Sequence, residues 1–302
     1  MVELAIVIPY YKMLFFERTI ASLAEQTNKN FKVYIGNDGS PEDPSECIEN
    51  FCDTLDITYK YFPDNLGGYS LTRQWDRCIE LMGSENWILI LGDDDYLSPN
   101  FVQNFYNHLA KIESLNIKVV RSASKIVSQD GISKIHSFPE IESSIDHFYN
   151  RYFKSSRSSL SEYIFSKDVY DKKGFRDLPL AWGVDTLAWI EFTEGKHIFT
   201  INESIAYIQI SEQSISGNSD LDELKIMARY QGFEIVIKDH FSHYNRNQKR
   251  RILLYFEHGA KKANKVNESS FYLLVINKLL QERMFFETFR FMKRLFYYKR
   301  LI

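Results

Sequence analysis

Along the first hundred residues, short apolar runs alternate with stretches whose apolar positions recur at helical spacing. The runs predict strands at residues 4–8, 31–35, 57–62 and 87–91. Helical spacing predicts helices at residues 19–26, 45–51 and 70–82, and Pro99 is placed to open a fourth. Strands that alternate with helices indicate an α/β fold, with a mainly parallel sheet flanked by helices on both faces.

Polar clusters follow three of these strands. They are Tyr10-Tyr11-Lys12, Asn37-Asp38-Gly39 and Asp93-Asp94-Asp95. Ligands of open parallel sheets bind beyond the carboxyl ends of the strands. We therefore expect the three clusters to converge on one site.

The pattern loosens after residue 119. It predicts a hairpin within residues 124–135, a strand at 159–165, a helix at 184–193 and a strand at 197–201. From about residue 220 onward the spacing is mainly helical, with few Gly or Pro residues. We therefore expect a main domain over residues 1–216 and a C-terminal helical extension over residues 217–302.

Composition narrows the class of protein. The 302 residues carry a net charge of −3, which argues against general binding to nucleic acid. The three cysteines, Cys47, Cys52 and Cys78, have no regular spacing, so we expect idle thiols in a reducing compartment rather than disulfides or a zinc site. The first residues lack the layout of a signal peptide, and no window has the length of apolar sequence that a membrane span needs. We expect a cytoplasmic protein.

The triplet Asp93-Asp94-Asp95 is the first chemical candidate. Three adjacent carboxylates repel one another unless a cation neutralises them. Hard oxygen ligands suit Mg²⁺ or Mn²⁺, which also bridge a diphosphate. Taken alone, the triplet favours a solvated turn that caps the helix near Pro99.

Five segments in order change that interpretation. They are "VIPYYK", "VYIGNDGS", "DNLGGYSLTRQWDRCI", "WILILGDDDYLSPN" and "EYIFSKDVYDKKGFRDLPLAWGVDTLAW". Together they resemble the family-2 glycosyltransferases, which have the Rossmann-like GT-A fold, over residues 1–216. The resemblance implies a nucleotide-sugar half at residues 1–100 and an acceptor half at residues 101–216.

The resemblance also implies an activity. It is the inverting transfer of a sugar from a UDP-sugar, with Mn²⁺ or Mg²⁺, to a glycan or lipid-linked oligosaccharide, as in bacterial polysaccharide biosynthesis. In the nucleotide-sugar half, Pro9 and Tyr11 would line the base pocket, and Asp38 would hydrogen-bond the uracil or its ribose. Arg73 matches the Arg of the family's ARN segment and would lie near the nucleotide.

The metal motif allows two registers. Alignment with the common "LDSDDY" form puts Gly92 at the first Asp of the motif. If the triplet itself is the D-x-D motif, Asp93 is the ribose-side carboxylate and Asp95 is the metal ligand. We take Asp95 as the direct ligand, with Asp93 or Asp94 supporting it, and both registers stay open.

In the acceptor half, Asp185 matches the second position of the family's acidic pair, which makes it the candidate general base. The alternative is that Asp185 is the N-cap of the next helix. Trp182 either stacks on the acceptor sugar or packs in the core. Val184 replaces the first acid of the pair, and Ser211 replaces a histidine that often meets the diphosphate. These departures leave a catalytically inactive protein that binds sugar nucleotides or glycans as the alternative function. A nucleotidyltransferase is disfavoured, because the segment after the first strand has no glycine.

The tail over residues 278–302 combines large apolar residues with seven Lys or Arg and two Glu. Such a helix can lie in an anionic membrane interface, here the inner face of the plasma membrane. It can equally pack on the domain or at a homodimer contact. Both readings stay open.

Overall fold

A computed structural model describes residues 3–212 and 214–298. The chain forms two compact units, Met1–Ser219 and Asp220–Ile302. The assignment of a nucleotide-sugar half and an acceptor half within the first unit stays a prediction.

The first unit is built around a ten-stranded sheet. Its strands are β1 Leu4–Tyr10, β2 Phe31–Asp38, β3 Ile57–Phe62, β4 Trp87–Ile90, β5 Tyr96–Leu97, β6 Val119–Ser128, β7 Gly131–Ile132, β8 Ile141–Ser143, β9 Tyr163–Ser166 and β10 His197–Gln209. Its helices are α1 Phe16–Ala24, α2 Ser45–Glu49, α3 Leu71–Ile79, α4 Phe101–Ser114, α5 Ser144–Phe153, α6 Lys167–Lys173 and α7 Val184–Phe192. Short 3₁₀ helices cover Leu160–Glu162 and Pro179–Ala181.

The strand order is β3-β2-β1-β4-β9-β6-β10-β5. From β3 to β4 every pair is parallel, and β6 is parallel to β10. β9 lies antiparallel between β4 and β6, so the sheet is mixed. The α/β class is confirmed. Because β1, β2 and β4 run in the same direction, the polar residues at their carboxyl ends share one edge of the sheet.

The parallel strands form the centre of the core. Leu4, Ile6 and Ile8 on one face of β1 and Ala5 and Val7 on the other are fully buried, as expected for a strand covered on both faces. Helix α3 packs closely on β2, where a Cβ at Gly36 would overlap the Cys78 thiol. A side chain at position 36 would therefore push α3 away from the sheet.

Three expected elements differ in the structure. The strand expected at residues 159–165 is a 3₁₀ turn followed by β9. β10 continues far beyond residue 201, because a bulge between Ile201 and Ile205 absorbs the polar residues that end its apolar run. The helix expected at residues 45–51 ends at Glu49, two residues before the predicted end.

The second unit is helical, as predicted for the C-terminal extension. It contains α8 Asp222–Ile235, a π-helical turn Val236–His240, a 3₁₀ turn Phe241–His243, α9 Arg246–Lys262, α10 Ser269–Gln281 and α11 Phe285–Tyr298. Asn245 and Gln248 form a capping box at the start of α9. In the described part of the chain, none of the helices is both long enough and apolar enough to span a membrane.

Candidate active site

The acidic triplet follows β4 and is tied to the end of β1. Asp93 Oδ2 accepts hydrogen bonds from the backbone N–H groups of Tyr11 and Lys12, each at 2.8 Å. From α1, the buried Thr19 hydroxyl donates to the carbonyl oxygen of Asp95 at 2.8 Å. Burial raises the pKa of Asp93, and the two backbone hydrogen bonds act against this rise. Asp93 therefore fixes the loop after β1 against the loop after β4.

Asp95 ties the same loop to β10. Its side chain is almost fully buried, and Oδ1 accepts a hydrogen bond from the Gln209 N–H at 2.8 Å. Burial raises its pKa to about 6, while the Ser161 hydroxyl, the Gln209 N–H and the Arg157 charge lower it. The carboxylate of Asp95 is thus engaged inside the protein.

Asp94 differs from both neighbours. Like Asp93 it is partly exposed, but within residues 3–212 and 214–298 its carboxylate, unlike those of Asp93 and Asp95, accepts no hydrogen bond from another residue. Burial, and then the charges of Asp95 and Asp93, raise its pKa to about 8, against the charge of Lys12. Among the three carboxylates, that of Asp94 accepts the fewest hydrogen bonds from other described residues, so it is the most available to a ligand.

The donor set around Asp94 fits a metal that is shared with a substrate. Three or more metal-ligating side chains do not gather anywhere in the described residues, so the protein supplies no closed cage. Mg²⁺ is commonly held by one or two carboxylates together with water and substrate phosphates. A cation beside Asp94 would also relieve the repulsion that raises its pKa.

Arg18 of α1 brings a positive charge to the triplet. Its Nη2 donates to Gln209 Oε1 at 2.7 Å and lies 3.3 Å from the Asp94 carbonyl oxygen. The guanidinium lies 4.4 Å from the centre of the Tyr96 ring. Arg18 lies outside every motif quoted from the sequence, so motif matching did not identify it.

Asp38 occupies the end of β2, where it holds the loop that follows β3. Its carboxylate accepts hydrogen bonds from the N–H groups of Leu66 and Gly67, both at 2.8 Å, and forms an ion pair with Arg77. A Cβ at Gly67 would overlap Asp38 Oδ2, so glycine is needed there. Burial raises the pKa of Asp38, and these partners lower it.

The other predicted nucleotide residues occupy different places. Pro9 is partly exposed near the end of β1, in register with Gly36 of β2. Tyr11 is the first residue after β1. The Ser40 hydroxyl donates to the Tyr11 carbonyl at 2.7 Å, which joins the loops after β1 and β2. Arg73, in contrast, is exposed on α3. One turn later, Arg77 is the arginine of α3 that reaches the site, and sequence matching did not identify it.

Asp185 lies in the first turn of α7. The N-cap is Gly183, with φ of 78°, so the alternative role of Asp185 as N-cap is wrong. Asp185 Oδ2 accepts a hydrogen bond from the Ser158 hydroxyl at 3.0 Å. Before the helix, Leu180 and Ala181 have φ of 56° and 49°, values that residues with a Cβ rarely adopt and that recur at functional sites.

The segment before α7 is tied to α3. The hydroxyls of Ser70 and Thr72 donate to Asp177 Oδ1 at 2.8 and 3.0 Å. Trp182, between Asp177 and Asp185, is partly exposed and is not a core residue. The first turn of α3 is thus fixed beside the segment that carries Trp182.

This geometry agrees with the sequence family. The model of glycosyl transferase family 2 matches residues 5–175, more than half of the chain. The chain belongs to this family. The family predicted from the five motifs is confirmed, and this family-2 protein is a glycosyltransferase.

Solved structures show the same fold for this glycosyltransferase. S. aureus TarS 1-349 in complex with UDP-GlcNAc aligns with a TM-score of 0.64 and 16% identity, covering 92% of this chain and 79% of that one. A longer S. aureus TarS aligns with a TM-score of 0.62 and 15% identity, covering 92% of this chain and 48% of TarS. These likenesses confirm the GT-A fold. A search of curated proteins finds no match.

Proposed function

We propose that this glycosyltransferase moves a sugar from a UDP-sugar to a hydroxyl group of a glycan or lipid-linked glycan, with inversion at the anomeric carbon and with Mg²⁺ or Mn²⁺. The observation that carries the proposal is the arrangement of the triplet after β4. Asp93 and Asp95 brace the loop, and the Asp94 carboxylate stays available beside Arg18. The choice of uridine is supported by TarS, whose structures contain UDP-GlcNAc and UDP.

The site divides the work between its two sides. When bound, the metal neutralises charge on the departing nucleoside diphosphate. Asp94 would hold that metal, and Arg18, at the Asp94 carbonyl oxygen, would add a positive charge on the same side of the site. Asp185 takes the proton of the acceptor hydroxyl as the new bond to the anomeric carbon forms and the bond to the diphosphate breaks. An α-linked donor then gives a β-linked product.

The sequence favoured Asp95 as the metal ligand, and that choice stays a prediction. We propose Asp94 instead. A ligand must present a free oxygen lone pair to the ion. Asp95 is almost fully buried and its carboxylate binds Gln209 and Ser161, whereas Asp94 has no such commitment among the described residues. We therefore favour the register in which Gly92 replaces the first Asp of the family motif.

The test is UDP release from UDP-glucose, UDP-galactose and UDP-N-acetylglucosamine, with Mn²⁺, Mg²⁺ or EDTA. The wild-type protein should release UDP from at least one donor, and EDTA should abolish the release. Asp94→Asn should raise the Mn²⁺ concentration for half-maximal rate by about tenfold or more, and Asp95→Asn should raise it much less. The opposite order of the two variants would restore Asp95 as the ligand.

The rival function, a catalytically inactive binding protein, makes a different prediction in the same assay. A binding protein would bind added UDP in titration calorimetry but would release no UDP from any of the UDP-sugars. That combination would overturn the proposed activity while leaving the family assignment intact.

We also propose that α11 contacts an anionic membrane surface. Four of its apolar side chains form one stripe at spacings of four, three and four residues: Phe285, Phe289, Met292 and Phe296, which are 65, 65, 47 and 58% exposed. The exposed Lys293 lies beside this stripe. The remainder of the predicted tail, residues 299–302, lies outside the described residues.

Vesicle binding tests this contact. The protein should sediment with phosphatidylglycerol vesicles more than with phosphatidylcholine vesicles, and Phe289→Ser with Phe296→Ser should abolish the difference. Leu273→Ser, at an exposed leucine of α10, is the control. If the double variant binds vesicles normally but changes from dimer to monomer, the stripe is a homodimer contact instead.

A further inference from the structure

A continuous chain of hydrogen bonds connects the interior of the first unit to Asp185. The Ser158 hydroxyl lies 3.0 Å from Asp185 Oδ2 and 3.0 Å from the Tyr163 hydroxyl. Tyr163 lies 3.2 Å from His147 Nε2, and His147 Nδ1 lies 3.1 Å from Arg121 Nη1. The last three residues are fully buried, so water does not compete for these contacts.

Arg121 fixes the direction in which the hydrogen bonds of this series run. A guanidinium can only donate hydrogen bonds, so His147 Nδ1 accepts from Arg121. Burial, and then the charges of Arg121 and Arg151, hold the pKa of His147 well below its usual value, so the ring is neutral. The single ring proton is therefore on Nε2, and His147 donates to Tyr163.

The direction of the hydrogen bonds from Tyr163 to Asp185 follows from that of the Arg121–His147 bond. Burial raises the pKa of Tyr163, so its hydroxyl keeps its proton. Having accepted from His147, Tyr163 donates to Ser158, and Ser158 donates to Asp185. Every donor in the chain thus points toward the Asp185 carboxylate, which can only accept while it is ionised.

Arg121 is itself held rigidly. Its Nη2 donates to Glu142 Oε2 at 2.8 Å and to the Thr200 hydroxyl at 3.1 Å, and the guanidinium lies 3.7 Å from the centre of the Phe138 ring. Glu142 Oε2 is 3.8 Å from His147 Nδ1, too far for a hydrogen bond, so it does not change the ring tautomer.

We propose that Ser158 and Tyr163 are positioning residues that hold Asp185 Oδ2 in place and leave Oδ1, which lies 3.5 Å from the Thr186 hydroxyl, for the acceptor hydroxyl. This inference rests on the proposed role of Asp185 as general base. Charge-assisted hydrogen bonds from a pre-ordered network fix a carboxylate better than solvent does. Glu162 and Tyr163 are the titratable neighbours that sense the charge of Asp185, and Arg157 is paired with Glu162 at 2.9 Å.

The test uses UDP release into water from the best UDP-sugar of the donor screen, with saturating Mn²⁺. Ser158→Ala should lower kcat by about tenfold, because a misplaced base loses most of its advantage, and should leave KM for the UDP-sugar unchanged. Tyr163→Phe should lower kcat in the same way. Ser158→Thr keeps the hydroxyl and should restore most of the rate. The neighbouring Ser159→Ala is the matched control and should behave as the wild type.

The outcomes separate this inference from the proposed function. If Asp185→Asn keeps the wild-type rate, Asp185 is not the base and both statements fall. If Asp185→Asn is inactive while Ser158→Ala and Tyr163→Phe match Ser159→Ala, only the positioning role is overturned. A loss of kcat that follows a lowered melting temperature and is not rescued by Ser158→Thr would also overturn it, because the network would then be merely structural.

Discussion

Ionisation of the buried Glu162 carboxyl group should lower the stability of the protein as pH rises. This carboxyl group is completely buried next to Arg157, at the end of the 3₁₀ turn that precedes β9. Burial raises its pKa from 4.5 to about 7, although Arg157, Ser124 and Arg121 act in the opposite direction. The proposed perturbation is Glu162→Gln, which keeps the shape of the protonated acid and removes the charge.

The direction in which Glu162 changes stability with pH follows from proton binding in the folded and unfolded states. Between pH 4.5 and pH 7 the folded protein holds a proton on Glu162 that the unfolded chain releases. The contribution of Glu162 to the free energy of unfolding must therefore fall as pH rises through this window. With these two pKa values, ionisable Glu162 lowers stability by about 1 kcal/mol at pH 5 and by about 3 kcal/mol at pH 8. The advantage of Glu162→Gln over the wild type should grow by about 2 to 2.5 kcal/mol between those pH values.

Urea unfolding at pH 5, 6, 7 and 8 measures this difference. The loss of near-ultraviolet circular dichroism, compared between the two proteins at each pH, gives the change in unfolding free energy. Glu113→Gln, on the exposed side of α4, controls for the removal of one negative charge. If the wild type and Glu162→Gln show the same pH dependence, the folded pKa of Glu162 is not raised and the reasoning from burial is refuted.

Three further predictions concern stability. Gly36→Ala should destabilise the protein by about 1 to 3 kcal/mol, because its Cβ overlaps α3; a neutral result in urea unfolding would contradict this packing. Gly259→Ala, in the last turn of α9 with open space around it, should stabilise the protein by about 0.5 to 1 kcal/mol, and a lowered melting temperature would show that the new methyl group meets a neighbour. Arg77→Ala leaves the buried Asp38 without its ion pair and should cost about 3 kcal/mol, whereas Arg73→Ala on the exposed side of α3 should change stability by less than about 0.5 kcal/mol. Equal effects of the two arginine variants would count against the ion pair.

The centre of the first half of the fold could be predicted because β1, β2 and β4 are covered on both faces. A strand such as β1 then appears as an unbroken apolar run, and the polar residues that follow it must lie at the sheet edge. This reasoning located Pro9, Tyr11 and the triplet correctly at the ends of β1 and β4. It failed for β10, where a bulge lets the strand continue past polar residues that read as its end.

Local spacing carries no information about contacts across the sequence, and this explains the missed arginines. Arg73 and Arg77 occupy the same helix one turn apart, and only the packing of α3 on β2 decides which of them meets Asp38. Arg18 reaches Gln209 across 191 positions. No motif of short range could join these residues, whereas the sheet topology places them side by side.

The triplet Asp93-Asp94-Asp95 also shows that local sequence does not reveal contacts between distant residues. Three adjacent aspartates are chemically identical in the sequence, so alignment can shift by one residue without penalty. In the fold, the N–H groups of Tyr11, Lys12 and Gln209 claim the first and third carboxylates, because β1 and β10 bring those groups to the end of β4. The middle carboxylate accepts no hydrogen bond from another described residue, and burial, followed by the charges of Asp95 and Asp93, raises its pKa to about 8. We propose that a divalent ion binds this middle carboxylate, because backbone N–H groups brought by distant strands already engage its two neighbours.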